Sequence, residues 1–231
     1  MLFRSNHCAA VTISGELYTW GRNNQGQLGL GNTTDVASPV QLGTLSNWKQ
    51  VSCGYSITLA VKTDGTLWSC GYGGGTGALG NGTTVKYSSP IQVGSLTNWS
   101  KVSVGNYSMA AVKTDGTLWA CGYNNYGQLG NGTTSKYSSP IQIGSLTNWK
   151  DVEINFSNTI AVKTDGTLWT WGDNSNGQLG YEVEVYNNSV NYSSPIQIGS
   201  LSTWATTDSN TTILNTGNSY YANHLLKQDG T

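Results

Sequence analysis

Charge is what this sequence has least of. Eleven Lys and Arg with twelve Asp and Glu amount to 10% of 231 residues, against roughly 25% in an average globular domain. Only Arg4 and Arg22 are arginines, and the nine lysines are scattered. Phosphate backbones are held by clustered Lys and Arg, so the chain offers nucleic acid no electrostatic footing. A net charge of −1 supplies neither a basic field nor an acidic tail. No apolar run approaches the roughly 18 residues that cross a bilayer as a helix. With two histidines, four cysteines and no C-x-x-C or H-x-x-H spacing, a zinc site finds no support. Thirty glycines and four prolines leave little room for long helices, since each costs about 1 or 3 kcal/mol in a helix interior.

Aromatic residues and repetition are what the chain does have. Nine Trp and thirteen Tyr bring the aromatics to 10%, which argues against disorder. The octet at residues 64–71 (DGTLWSCG) returns at 115–122 (DGTLWACG) and 165–172 (DGTLWTWG), with a divergent copy at 14–21 (SGELYTWG). Its turn glycines, Gly15, Gly65, Gly116 and Gly166, are 50, 51 and 50 residues apart, and Gly230 lies 64 further on. Pro39, Pro90, Pro140 and Pro195 head a second marker (PVQLG, PIQVG, PIQIG, PIQIG). A third, Gly-Gln-Leu-Gly, stands at 26–29, 127–130 and 177–180 and becomes Gly-Ala-Leu-Gly at 77–80. Three markers in one order at one period define a repeat protein.

Each unit reads as four short strands. In the second unit these fall at 48–54 (WKQVSCG), 56–62 (SITLAVK), 66–71 and 90–94. Asp64-Gly65 predicts a two-residue type I′ hairpin, and Pro90 should head the fourth strand or lie on a sheet edge. The second and third strands are apolar on both sides, as expected when each small sheet is covered by neighbouring sheets. The expectation is an all-β chain, a β-propeller with one four-stranded blade per unit. It is read as a single domain over residues 1–231, with units at about 5–54, 55–105, 106–155 and 156–216 and a partial unit at 217–231.

The combination V-x-V-x-C-G, D-G-x-L-W-x-W-G, G-Q-L-G-x-G and a later Pro resembles the repeats of the regulator of chromosome condensation family. The resemblance runs from about Ser5 to Thr231. It implies a seven-bladed ring of roughly 350 residues, of which about four blades are present. Missing blades or an oligomer are then expected to complete the ring. Within the family, some members are nucleotide exchange factors for small GTPases, some bind chromatin and many are interaction modules. His is frequent in the second strand of the family's repeat; His7 fits, whereas Ile57, Ser108 and Asn158 stand there in later units.

Candidate chemistry reduces to structure at most positions. Cys70 and Cys121 share a repeat position with Trp20 and Trp171, so they read as packing residues, and all four cysteines are expected reduced. Asp64, Asp115, Asp165 and Asp229 recur as turn residues. His7 and His224 have no nucleophile or carboxylate beside them in sequence. The Gly-rich run at 71–77 lacks the helix and Lys of a phosphate loop. No catalytic residue, cofactor or metal is therefore assigned, and the chain is read as a non-enzyme. Two insertions break the repeat, one at about 205–223 and one in the fourth unit; the latter, Tyr181, Glu182, Val183, Glu184, Val185, Tyr186 and Asn187, is the candidate partner-binding element, because loops on a rigid scaffold carry binding.

The leading expectation is a non-catalytic scaffold for protein or surface interactions. Guanine nucleotide exchange on a small GTPase is the alternative by resemblance, and a structural part of a virion or fibre is the other. No nucleic acid or membrane partner is expected. The amide- and hydroxyl-rich surface favours a cytoplasmic or extracellular or virion-surface setting over the nucleus.

Overall fold

A computed structural model describes residues 6–180, 191–202 and 204. They form fifteen strands in four antiparallel sheets, each a meander in chain order, with no α-helix among the described residues. The first sheet has three strands, β1 (His7–Val11), β2 (Leu17–Gly21) and β3 (Val36–Gln41). The second holds β4 (Trp48–Cys53), β5 (Ile57–Lys62), β6 (Leu67–Gly71) and β7 (Tyr87–Gln92). The third holds β8 (Trp99–Val104), β9 (Ser108–Lys113), β10 (Leu118–Gly122) and β11 (Tyr137–Gln142). The fourth holds β12 (Trp149–Ile154), β13 (Asn158–Lys163), β14 (Leu168–Asp173) and β15 (Asn191–Gln197). These are propeller blades, as the repeat predicts.

Apolar side chains meet between blades rather than inside them. One cluster joins Ile57, Leu59 and Leu79 to Val104, Met109 and Cys121, spanning the second and third blades. Others join the third to the fourth and the first to the second. All six residues of β5, β9 and β13 are buried. Coverage on both sides explains why these strands do not alternate.

Polar contacts set the blade order. First strands lie side by side, β4 against β8 and β8 against β12. Ser52 Oγ accepts from Val104 N at 3.1 Å, and Ser103 Oγ accepts from Ile154 N at 3.0 Å while donating to Glu153 Oε2 at 2.8 Å. Further out, the Gly-Gln-Leu-Gly loop of each blade reaches the next. Gly31, Gly82 and Gly132 donate through their amides to Ser88, Ser138 and Ser193 carbonyls at 2.7–2.8 Å. Gln27 O accepts from Thr58 Oγ1 at 2.7 Å, and Gln128 O accepts from Thr159 Oγ1 at 2.6 Å. The loop is a latch between blades.

Two local expectations are corrected. The hairpin loop holds three residues, not two. Lys62 N donates to Thr66 O and Gly65 N to Lys62 O, both at 3.0 Å, with Gly65 at φ +77°. This is a type I turn closed by a left-handed glycine in a bulge, the usual three-residue hairpin. The fourth strand also begins earlier, at Tyr87, so Pro90 lies inside it. Pro is tolerated there because β7 is the outer edge of its sheet and its register with β6 breaks between Ser69 and Gly71.

Candidate interaction face

The predicted insertion Tyr181–Asn187 lies outside the described residues, as do His224 and Asp229. The remaining sequence candidates are engaged structurally. Asp64, Asp115 and Asp165 each accept from the backbone and hydroxyl of the Thr two residues on, at 2.6–3.0 Å. These bonds hold all three carboxyls below the ordinary aspartate range. The same Thr hydroxyls accept Trp68, Trp119 and Trp169 Nε1–H at 2.8–2.9 Å. Lys113 and Lys163 lie over Trp119 and Trp169, 3.6 Å from the ring centroids, and burial lowers the pKa of both amines. Each carboxylate thus ends a Trp–Thr–Asp relay that fixes a turn.

His7 is 1% exposed, and its Nε2 lies 2.8 Å from Thr58 Oγ1 of the second blade. Thr58 spends its own hydrogen on Gln27 O, so the imidazole donates from Nε2. Burial pulls its pKa down to about 4. A neutral, committed imidazole between blades is a packing element. All four cysteines are free and buried, and burial pushes Cys70 up to about 12. Among the described residues no group of three or more His, Cys, Asp and Glu could hold a metal ion.

What stands out is an aromatic surface at one end of the blades. In an antiparallel meander the loop from first to second strand and the loop from third to fourth leave from the same end. Here those loops carry Tyr55, Tyr107 and Phe156, and Tyr72, Tyr123 and Tyr126. Tyr55, 45% exposed, meets Tyr107 edge-on at 5.8 Å across two blades. Tyr126 bridges Tyr123 and Phe156, both at 6.1 Å. The backbone below is fixed. Thr76 Oγ1 lies 2.6 Å from Gly73 O and 2.8 Å from Tyr107 O. Gln128 takes Tyr126 N–H at 3.0 Å and donates to Phe156 O at 3.3 Å. The insertion of one residue in the run at 71–77 lets Gly74 lie flat on Tyr107, where a Cβ would stand 2.5 Å from the ring. Residues 54–56, 72–76, 105–107, 123–126 and 155–157 include no charged side chain. Lys136, 5.0 Å from the Tyr123 ring, borders them.

Sequence reasoning missed this face because its positions recur only in part: Tyr72 and Tyr123 share one repeat position, which holds Arg22 and Asp173 in the other units. Tyr55 corresponds to Asn106 and Phe156, whereas Tyr107 corresponds to Ser56 and Ser157. A search for periodic positions discards such residues. The usable signal was aromatic residues in loops that otherwise carry Gly, Asn and Ser.

Latched four-stranded blades with interblade cores and loops gathered at one end define a β-propeller built from tandem repeats. Comparison gives it a lineage: the RCC1-like domain profile matches residues 3–222, and the chain belongs to that family. Over 126 residues, 53% of this chain, it is 37% identical to the ultraviolet-B receptor UVR8 of Arabidopsis thaliana. It is 38% identical over 124 residues to the human E3 ubiquitin-protein ligase HERC2, and 35% over 126 to the X-linked retinitis pigmentosa GTPase regulator of the dog. These stretches cover 28%, 2% and 12% of those proteins, so the chain matches a minor part of each. Among solved structures, human WBSCR16 superposes with a TM-score of 0.71 at 24% identity, over 84% of this chain and 51% of that one. Yeast RCC1 (Prp20), in its complex with Kap60, gives 0.70 at 19%, over 84% and 47%. Those two likenesses concern the fold.

Proposed function

We propose that this chain is a non-catalytic scaffold that binds a protein partner through the aromatic face around Tyr55, Tyr107, Tyr126 and Phe156. The observation that carries the reading is the Tyr55–Tyr107 contact between blades, in which an exposed ring rests on a half-buried one above a backbone already fixed. Interface cores are enriched in aromatic residues and depleted of Lys, Asp and Glu, Tyr and Trp are frequent hot spots, and rigid loops lose little entropy on binding. The His, Cys and Asp side chains that could do chemistry at neutral pH are, where described, spent on packing and turns.

The test is site-specific crosslinking. A photoreactive phenylalanine at position 55 or 126, expressed in the natural host, should capture one and the same protein. Purified, that protein should bind the wild-type chain at least about tenfold more tightly than Tyr55→Ser/Tyr126→Ser, with thermal stability unchanged. Crosslinks confined to other positions would move the interface. Because one relative is named a GTPase regulator, nucleotide release from a panel of small GTPases is measured alongside. Accelerated release would replace the scaffold reading with exchange.

A further inference from the structure

At the other end of the blades, beside the connection from β7 to β8, a cleft of about 370 Å³ opens between the second and third blades. That volume is at the lower end of the roughly 300–1,000 Å³ of small-molecule sites. Its apolar walls include the Trp119 indole, the Pro140 ring, Val93 and Leu96, and its polar groups include Asn81, Gln92, Ser95 and Ser139.

The repeat shows why the cleft is here. At the preceding interface, Leu42 and Cys70 line a void of about 10 Å³ beside Trp48, Trp68 and Pro90. Val93 and Cys121 occupy the corresponding places in the open one, a shorter aliphatic side chain above an equally small thiol. At the following interface the places belong to Ile143 and Trp171, and a Cβ on Gly130 would stand 2.6 Å from the Trp171 indole. On Gly80 its nearest neighbours would be Val93 at 3.1 Å and Cys121 and Pro140 at 3.4 Å, much as on Gly29 at the preceding interface, where Cys70, Pro90 and Leu42 stand at 3.2–3.3 Å. The polar rim differs as well. Gln142 and Gln197 each donate to a nearby glycine carbonyl, Gly144 or Gly199, at 3.1 Å. Gln92 makes no such bond to Gly94. Asn81 holds Thr83 through Oδ1 and leaves Nδ2 to the cleft.

We propose that this cleft binds a neutral saccharide unit, stacked against Trp119 and hydrogen-bonded by Gln92, Asn81, Ser95 and Ser139. The chemistry selects the class. The lining has no Lys, Arg, Asp or Glu, and the nearby Lys113 is buried and held over the Trp119 ring at 3.6 Å, so a phosphate or charged ligand finds no counter-ion within the lining. Pro140 lacks an N–H and sits in the middle of the edge strand β11, so an extended peptide cannot add a strand there. An indole flanked by amides and hydroxyls matches a pyranose, whose C–H face is apolar and whose rim is hydroxyl. The site is separate from the aromatic face and does not depend on it.

Methyl glucoside, cellobiose, N,N′-diacetylchitobiose and lactose serve as probes, read by saturation-transfer NMR and titration calorimetry on the full chain. At least one should bind with a Kd of about 1 mM or tighter. The surface variant Gln92→Ala should weaken it about tenfold, and Ser139→Trp, which plugs the mouth, should abolish it. Ser89→Trp at the preceding interface should leave it unchanged. No transfer to any probe at about 10 mM with a folded chain overturns the assignment. So does binding that survives Ser139→Trp, or displacement of the sugar by a proline-rich peptide that binds more tightly.

Discussion

Trp171 Nε1 donates to the carbonyl of Gln128, 43 residues earlier and one blade back, at 2.8 Å. Cys70 Sγ faces Gln27 O at 3.5 Å from the same repeat position, and Cys121 Sγ faces Gly77 O at 3.8 Å. A thiol and an indole are both donors with an apolar body, which is why one position accepts either. In these three cases the partner is the latch of the preceding blade.

These thiols should therefore be inert in the folded chain. With Cys70 pushed up to about 12 and Cys121 higher still, neither forms thiolate at pH 8. Labelling with a thiol-specific chromogen should find both unreactive, then four free thiols in denaturant without reductant. Prompt native labelling of Cys70, or two or fewer thiols in total, contradicts the packing.

Stability should fall as the pH drops from about 6.5 towards 4. His7 has a folded pKa of about 4 against 6.5 when exposed, so the unfolded chain takes up the proton first. Its contribution is complete above the unfolded value and is lost on acidification, on the order of 3 kcal/mol in total. Urea midpoints measured across this window should slope downward, and His7→Gln should flatten the slope.

Thr117 joins Trp119 to Asp115, and Thr117→Val removes both bonds while keeping the shape. The indole N–H and one carboxylate lone pair lose their partner, at about 1–2 kcal/mol. A midpoint equal to wild type would show that the relay is idle.

Gly127 and Gly177 are both left-handed, at φ +74° and +73°, but their surroundings differ. A Cβ at 127 would stand 2.6 Å from Ser193 Cα, whereas at 177 no atom of the described residues lies within 4 Å. Gly177→Ala should cost about 1 kcal/mol from backbone strain alone. Gly127→Ala adds a backbone collision and should cost several times as much. Equal losses in calorimetric melting would mean that the latch is not tight.

Blade count, strand order and the both-sided burial of β5, β9 and β13 were legible because Trp, Asp-Gly-Thr and Pro recur at one spacing. The start of β7 was not. Tyr87-Ser88-Ser89 looks like loop by composition, and becomes strand because Ser88 O receives the Gly31 N–H of another blade. The hairpin length was hidden for a related reason: Asp64-Gly65 fits two turn types, and only the Lys62–Thr66 pairing separates them. The aromatic face was hidden more thoroughly, since each of its positions is aromatic in some units and polar in others.

The latch also bears on how such a chain changes length over generations. A stretch running from one Asp-Gly-Thr hairpin to the next encodes its own outgoing loop, such as 77–80. It also encodes the Tyr-Ser-Ser-Pro strand that receives the loop before it. Tandem duplication of that stretch inserts a lock together with a matching key, and deletion removes both. Arrays can therefore gain or lose members in whole steps without stranding an unmatched joint, while a breakpoint shifted by half a unit would strand two.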